Sequence, residues 1–315
     1  MRIVVAGSSG LIGTPLVASL RRAGHDVVRL VRRPARDADE LTWDPAAGTI
    51  DGDLEGVGAA VNLAGAGVGD KRWTKAYKAE IRDSRVGSTI TLSRALARLQ
   101  VQPAVLVNGS AIGYYGSRGD ERLTEDSAPG QGFLAEVVQD WEAATAPASQ
   151  AGIRVVHART GLVVSDSGGA FGRLLPIFKY GLGGRVGSGS QYWSFISLRD
   201  EVRALERCLA DATLAGPLNL VAPHAITNRE ATAAIAQEVR RPAFLPVPAL
   251  ALKAVLGEFA DDILASQNVV PQRLADAGFT WQDPTIGGAL ATARERSRGE
   301  GDDAGSAKDE DPTEH

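Results

Sequence analysis

The apolar positions of the chain alternate between two spacings. Ile3-Val4-Val5 is a continuous apolar run that ends near Gly7, the pattern of a strand buried on both faces. Leu11, Ile12, Leu16, Val17 and Leu20 follow at helical spacing, and Gly24 stands where such a helix should stop. Residues 25–31 return to a strand pattern and complete a βαβ unit of about 30 residues. The alternation continues, with strands predicted over 59–63, 104–107 and 153–157 and helices over 80–97 and 133–149. Repeated units of this kind predict the α/β class, with a doubly wound parallel sheet covered by helices on both faces. Ligands of such sheets lie beyond the carboxyl ends of the strands. Gly7, Gly65 and Ser110 fall at such ends and are expected to line one crevice.

After Gly161 the pattern loosens. The glycine-rich stretch 166–190 predicts a loop with a short helix around 174–180, while 195–209 and 218–221 read as a return to the sheet. Residues 228–239 predict a helix capped by Thr227. The expected organisation is a large domain, residues 1–165 with about 191–221, and a smaller C-terminal substrate lobe, about 166–190 with 222–292. Residues 293–315 are expected to be a disordered acidic tail. Residues 300–315 hold seven acids and one lysine, a net −6 that leaves +2 on residues 1–299 of a chain whose total is −4. That balance, with no basic stretch, argues against nucleic acid as a partner. No apolar run reaches the ~18–20 residues of a membrane span. The chain opens directly in a core strand, so a cytoplasmic protein is expected. Cys208 is the one cysteine, and His25, His157, His224 and His315 are too scattered to suggest a metal site. A monomer or homodimer acting on an unidentified small molecule fits these observations.

The glycines carry the first chemistry. Gly7-x-x-Gly10-x-x-Gly13 joins a predicted strand to a predicted helix. Glycine permits φ > 0 in the turn, lets a pyrophosphate approach bare backbone, and exposes the first N–H groups of the helix to the anion. Gly7, Ser9, Gly10, Leu11, Ile12 and Gly13 are therefore the candidate pyrophosphate-binding residues of a Rossmann-type fold. The end of the second strand reads the cofactor, where an acid binds the ribose 2′-OH of NAD and an arginine accommodates the 2′-phosphate of NADP. Here the strand ends at Arg32 and Arg33 with no acid at that position. NADP(H) is favoured over NAD(H).

These segments, taken in order, resemble the extended short-chain dehydrogenase/reductase family of NAD(P)-dependent epimerases and dehydratases. Val61-Asn62-Leu63-Ala64-Gly65 is similar to the family's fourth-strand segment, whose turn packs against the cofactor; the resemblance adds Leu63, Ala64 and Gly65 to the cofactor site. Ser110-Ala111-Ile112-Gly113-Tyr114-Tyr115-Gly116 resembles the Ser-rich, Tyr-Gly segment after the fifth strand. Arg72-Trp73-Thr74, Ile81-Arg82-Asp83-Ser84-Arg85-Val86, Pro271-Gln272-Arg273-Leu274 and Gly278-Phe279-Thr280-Trp281 narrow the likeness. They point to the branch of epimerase family proteins of the 39U type, with a DUF1731-like C-terminal module. The resemblance spans residues 1 to about 292 and implies an oxidoreductase or epimerase on a small or nucleotide-linked substrate.

One part of the family pattern is missing. Family enzymes use a Tyr as acid/base and a Lys four residues later, which lowers its pKa and holds the ribose. No Tyr-x-x-x-Lys occurs in this chain, and the helix that should carry it has Phe133 and Val137 at those positions. Ser110 remains as a candidate, with Tyr114 or Tyr115 as the replacement acid. Arg82 and Arg85, three apart on one helix face, and Arg159 are candidate anion ligands for substrate; surface ion pairs would account for Arg82 and Arg85 equally well. Glu136 and Trp141 are further candidates for the pocket wall, with Trp141 also suited to the core. The alternative to an enzyme is a non-catalytic NADPH-binding sensor or scaffold.

Overall fold

The computed structural model describes residues 1–306. The first half builds β1 (Arg2–Ala6), α1 (Gly13–Arg22), β2 (Asp26–Val31), β3 (Glu40–Asp44), β4 (Thr49–Asp51), β5 (Ala59–Asn62), α2 (Lys75–Ala97) and β6 (Val105–Ala111). A short 3-10 turn over Ile112–Tyr115 follows, then β7 (Arg122–Leu123), α3 (Phe133–Ala143), α4 (Ala146–Gln150), β8 (Arg154–Thr160) and β9 (Leu162–Val164). The second half contains α5 (Gly169–Lys179), β10 (Tyr192–Trp193), β11 (Phe195–Ser197), α6 (Leu198–Ala210), β12 (Gly216–Leu220) and β13 (Ile226–Thr227). It ends with α7 (Asn228–Val239), α8 (Ala249–Leu256), α9 (Phe259–Ile263), β14 (Asn268–Val269), α10 (Gln272–Asp276) and α11 (Ile286–Ser306).

Eight strands form the main sheet in the order β12-β8-β6-β5-β1-β2-β3-β4. All neighbours are parallel except β3 and β4. The strand order reverses beside β1, which is where ligands bind in doubly wound sheets. Period-2 alternation supplies both faces of β1. Ile3 and Val5 pack with Leu16 and Leu20 of α1 and Leu205 of α6, whereas Val4 and Ala6 pack with Leu92 and Leu96 of α2. A separate core unites Phe171, Leu175 and Phe178 of α5 with Ile235 of α7 and Leu290 of α11.

The structure departs from the sequence expectations at several places. Residues 195–209 do not return to the main sheet. β11 pairs with β9 in a two-stranded sheet, and α6 begins at once because the Ser197 side chain accepts from the Asp200 N–H. The helix expected over 133–149 breaks after Ala143, and Pro147 lies in the first turn of α4. α2 starts at Lys75 rather than 80, because Thr74 accepts from the Tyr77 N–H. Of the tail expected to be disordered from 293, residues up to 306 continue α11; residues 307–315 lie outside the described residues.

Candidate active site

Three strand ends meet at the crevice. Gly7 leaves β1 at φ +76, and a Cβ there would lie 2.6 Å from the carbonyl carbon of Leu63. A Cβ on Gly13 would lie 2.1 Å from the Gly7 carbonyl oxygen, so α1 can approach the turn this closely only with glycine. These two glycines serve packing, whereas Gly10 and Ser9 are exposed. Leu11 packs under Gly168 and Gly169, and Ile12 against the sheet core. Ile12 gives α1 no side-chain cap, and its first turn holds no acid. The leading N–H groups of such a helix attract an anion.

The two arginines after β2 part company. Arg33 donates from Nη1 and Nη2 to the two oxygens of Glu40, each at 2.7 Å. Glu40 also takes the Arg36 N–H at 2.9 Å. The Arg33 bonds, then the Arg36 amide, pull the Glu40 carboxyl down to about 2. Arg33 is therefore engaged by Glu40 of β3. Arg32 is exposed and has no partner among the described residues. An open glycine turn, an uncapped helix start and a free arginine together fit an NADP-type dinucleotide.

The turn after β5 is held from α2. Ser84 accepts from the Ala66 N–H at 3.0 Å, and Ser88 donates to the Ala64 carbonyl at 3.3 Å. Arg85 lies along Gly65 and donates from Nη1 to the carbonyls of Ala66 at 2.9 Å and Ile81 at 3.0 Å. Its guanidinium stacks 5.1 Å from the ring of Trp141. It has no carboxylate partner among the described residues, and burial brings its pKa down to about 10. Nε–H and the Nη2 donors remain for another acceptor. Trp141 is otherwise core, donating to Thr89 at 2.9 Å. Glu136 is exposed.

Most of the other candidates are used internally. Glu142 of α3, which sequence reasoning missed, is the hub. Ser110 donates to it at 2.6 Å, and Arg159 grips it with Nε and Nη2 at 2.8 and 2.9 Å. Burial raises this carboxyl, but the Arg159 pair outweighs burial and keeps it below the usual value. Tyr115 is fully buried; its hydroxyl donates to Asn219 at 2.7 Å and accepts from Arg159 at 3.0 Å. Arg159 is 3% exposed. Ser110, Tyr115 and Arg159 are thus joined in a buried brace across β6, β8 and β12. Arg82 forms an outward ion pair with Asp140 at 2.5 Å, the surface alternative foreseen for it. Tyr114 stacks its ring 3.5 Å from the Arg159 guanidinium and keeps a hydroxyl with no partner among the described residues. At the two vacant family positions, Val137 is buried beside Tyr77 and Ile81, and Phe133 packs edge-on to Trp73 with centroids 5.1 Å apart. The signal for Glu142 was present in the sequence: it follows Val138 by four residues, placing a carboxylate on a buried helix face.

The family model for the NAD dependent epimerase/dehydratase family matches residues 3–221, and the model for DUF1731, a domain of unknown function, matches residues 247–293. The chain belongs to the NAD dependent epimerase/dehydratase family. An "Epimerase family protein Mb2239" of Mycobacterium bovis is 48% identical over 93% of this chain and 98% of its own length. The crystal structure of human epimerase family protein SDR39U1, solved with NADPH, superposes with a TM-score of 0.87 at 34% identity, covering 94% of this chain and 99% of that one. A nucleoside-diphosphate sugar epimerase from Corynebacterium glutamicum gives 0.76 at 32% identity, covering 98% of this chain and 68% of that one. Among the described residues no helix is long and apolar enough to cross a membrane.

Proposed function

We propose that this epimerase-family chain is an NADP(H)-dependent oxidoreductase or epimerase whose substrate is a small anion, sugar nucleotides included, bound through Arg85. The observation that carries the reading is the half-buried Arg85 guanidinium, which donates to the carbonyls of Ala66 and Ile81 and has no carboxylate partner among the described residues. A partly desolvated charge without a counter-ion is costly, and a substrate anion supplies one. The Gly7–Gly13 and Leu63–Gly65 turns would hold the dinucleotide, and Arg32 its 2′-phosphate. The human relative crystallised with NADPH supports that choice. The bound nicotinamide supplies or accepts a hydride. Arg85 would bind and orient the anion with its free Nε–H and Nη2 donors, and Trp141 would keep water from its other face. Tyr114 offers a hydroxyl without a partner among the described residues to hold a proton, at its phenolic oxygen.

The test is NADPH consumption with a panel of phosphate- and carboxylate-bearing carbonyl compounds and sugar nucleotides. Arg85→Gln should raise the KM of any substrate found at least about tenfold, the worth of one charge-assisted contact, and change NADPH affinity by much less. An unchanged KM would overturn the assignment. Phe133 and Val137 favour a second reading, a non-catalytic NADPH sensor or scaffold. It is supported if the protein binds NADPH tightly and turns over nothing in the panel.

A further inference from the structure

Residues 63–74, which lead from the turn after β5 to α2, form neither helix nor strand, and none of them is buried. Among the described residues no backbone–backbone hydrogen bond joins 66–73 to another element. Side chains hold the segment instead. At its root Ser84 of α2 accepts from the Ala66 N–H at 3.0 Å, and Tyr77 donates to the Gly67 carbonyl. The Trp73 Nε1–H folds back onto the Val68 carbonyl at 2.7 Å. The far end is gripped by α5 and α9, from the C-terminal half of the chain. Arg173 of α5 donates to the Gly69 carbonyl and, at 2.5 Å, to Asp70. Phe259 of α9 packs against Trp73 with ring centroids 5.2 Å apart, and a Cβ on Gly69 would lie 3.3 Å from the Phe259 ring. Beside it Glu258 accepts from Lys78, in the first turn of α2, at 2.6 Å.

Trp73 is the centre of this clasp. Its ring meets Phe259 on one side and stands edge-on to Phe133 of α3, centroids 5.1 Å apart, on another. Phe133 takes the place where family enzymes keep their acid/base tyrosine, so a molecule reaching that end of α3 must displace Trp73. We propose that residues 66–74 are a strap that gates the crevice. Trp73 closes it over the start of α3 and the neighbouring cofactor turn, and release of the Arg173 and Phe259 contacts opens it. The contacts suit a gate. The Arg173–Asp70 pair is more than half exposed on both sides, and Glu258 is exposed as well. Pairs of this kind hold weakly and are screened by salt. The two aromatic contacts define one closed position. A segment with no buried residue and no backbone ladder opens locally long before the fold does. The strap governs access alone, so it serves an enzyme and a sensor alike and does not depend on turnover.

The test is stopped-flow fluorescence of NADPH association and release by the full chain, with hydrogen–deuterium exchange of residues 66–74 measured alongside. Trp73→Ala removes two aromatic contacts, together worth about tenfold. It should speed both association and release by about that factor, while Kd moves far less. Arg173→Gln, a change at an exposed position, should act in the same direction and carries the same test if Trp73→Ala does not fold. Amide exchange over 66–74 should rise in both variants. Association and release rates that stay at the wild-type values would overturn the proposal, and so would exchange over 66–74 as slow as in wild type. Faster release with association unmoved would also overturn it and make Trp73 a direct contact of the cofactor.

Discussion

Replacing Glu142 by glutamine tests whether Ser110, Tyr115 and Arg159 brace the fold or perform chemistry. The change keeps the volume and removes the charge. It leaves the Arg159 guanidinium, 3% exposed, without its two-pronged carboxylate at 2.8 and 2.9 Å, and Ser110 without its acceptor at 2.6 Å. Breaking a buried pair from one side costs about 3–5 kcal/mol, because the surviving charge stays desolvated. At roughly 2–4 °C per kcal/mol in a chain of this size, melting should fall by about 6–20 °C. Denaturant unfolding with and without NADPH is the assay. The pH dependence adds a check. The folded Glu142 carboxyl lies below its ordinary 4.5, so its contribution is complete at neutral pH and is lost as pH falls through the folded value. Glu142→Gln should lack that acid-limb loss. A variant within about 1 kcal/mol of wild type, or one that keeps its stability but loses turnover, would refute a structural role.

Glu201 shows the opposite sign: it is fully buried, its Oε2 has no partner, and burial lifts its carboxyl to about 8. Wild-type stability should therefore decline from pH 4.5 to about 8, as the unfolded chain ionises and the folded one does not; Glu201→Gln should flatten that slope in a pH series of chemical melts. Gly13→Ala should cost at least about 1–3 kcal/mol and weaken NADPH binding, because its Cβ would stand 2.1 Å from the Gly7 oxygen; an unchanged melt would contradict the packing argument. Arg82→Ala should change stability by no more than about 1 kcal/mol and leave turnover intact, since Arg82 and Asp140 are both well exposed.

The sheet was legible because its strands are buried on both faces. Ile3-Val4-Val5 and Ala59–Asn62 leave little alternative to a strand, and the glycines mark where each one ends. β3 and β4 escaped notice because Glu40–Asp44 and Thr49–Asp51 sit at the sheet edge, with partly polar faces and short runs. The cofactor turn could be read locally, since each of its glycines meets a neighbour fixed by β1 or β5. Arg33 could not, because the choice between Arg32 and Arg33 depends on Glu40, which reaches across from the next strand. The internal bonds of the catalytic candidates were hidden for the same reason. Ser110, Tyr115 and Arg159 carry the right groups, but partners 32, 104 and 17 residues away consume them. Arg85, by contrast, has no carboxylate partner among the described residues.

The most direct test of the NADP(H) site is a fluorescence titration of wild type and Arg32→Ala with NADPH and NADH. The free Arg32 should supply a charge-assisted contact worth about 1.5–3 kcal/mol, so wild type should bind NADPH roughly ten- to a hundredfold more tightly than NADH. Arg32→Ala should lose most of that preference while leaving NADH binding unchanged. Equal or tighter NADH binding by wild type, or a preference that survives in Arg32→Ala, would contradict the account.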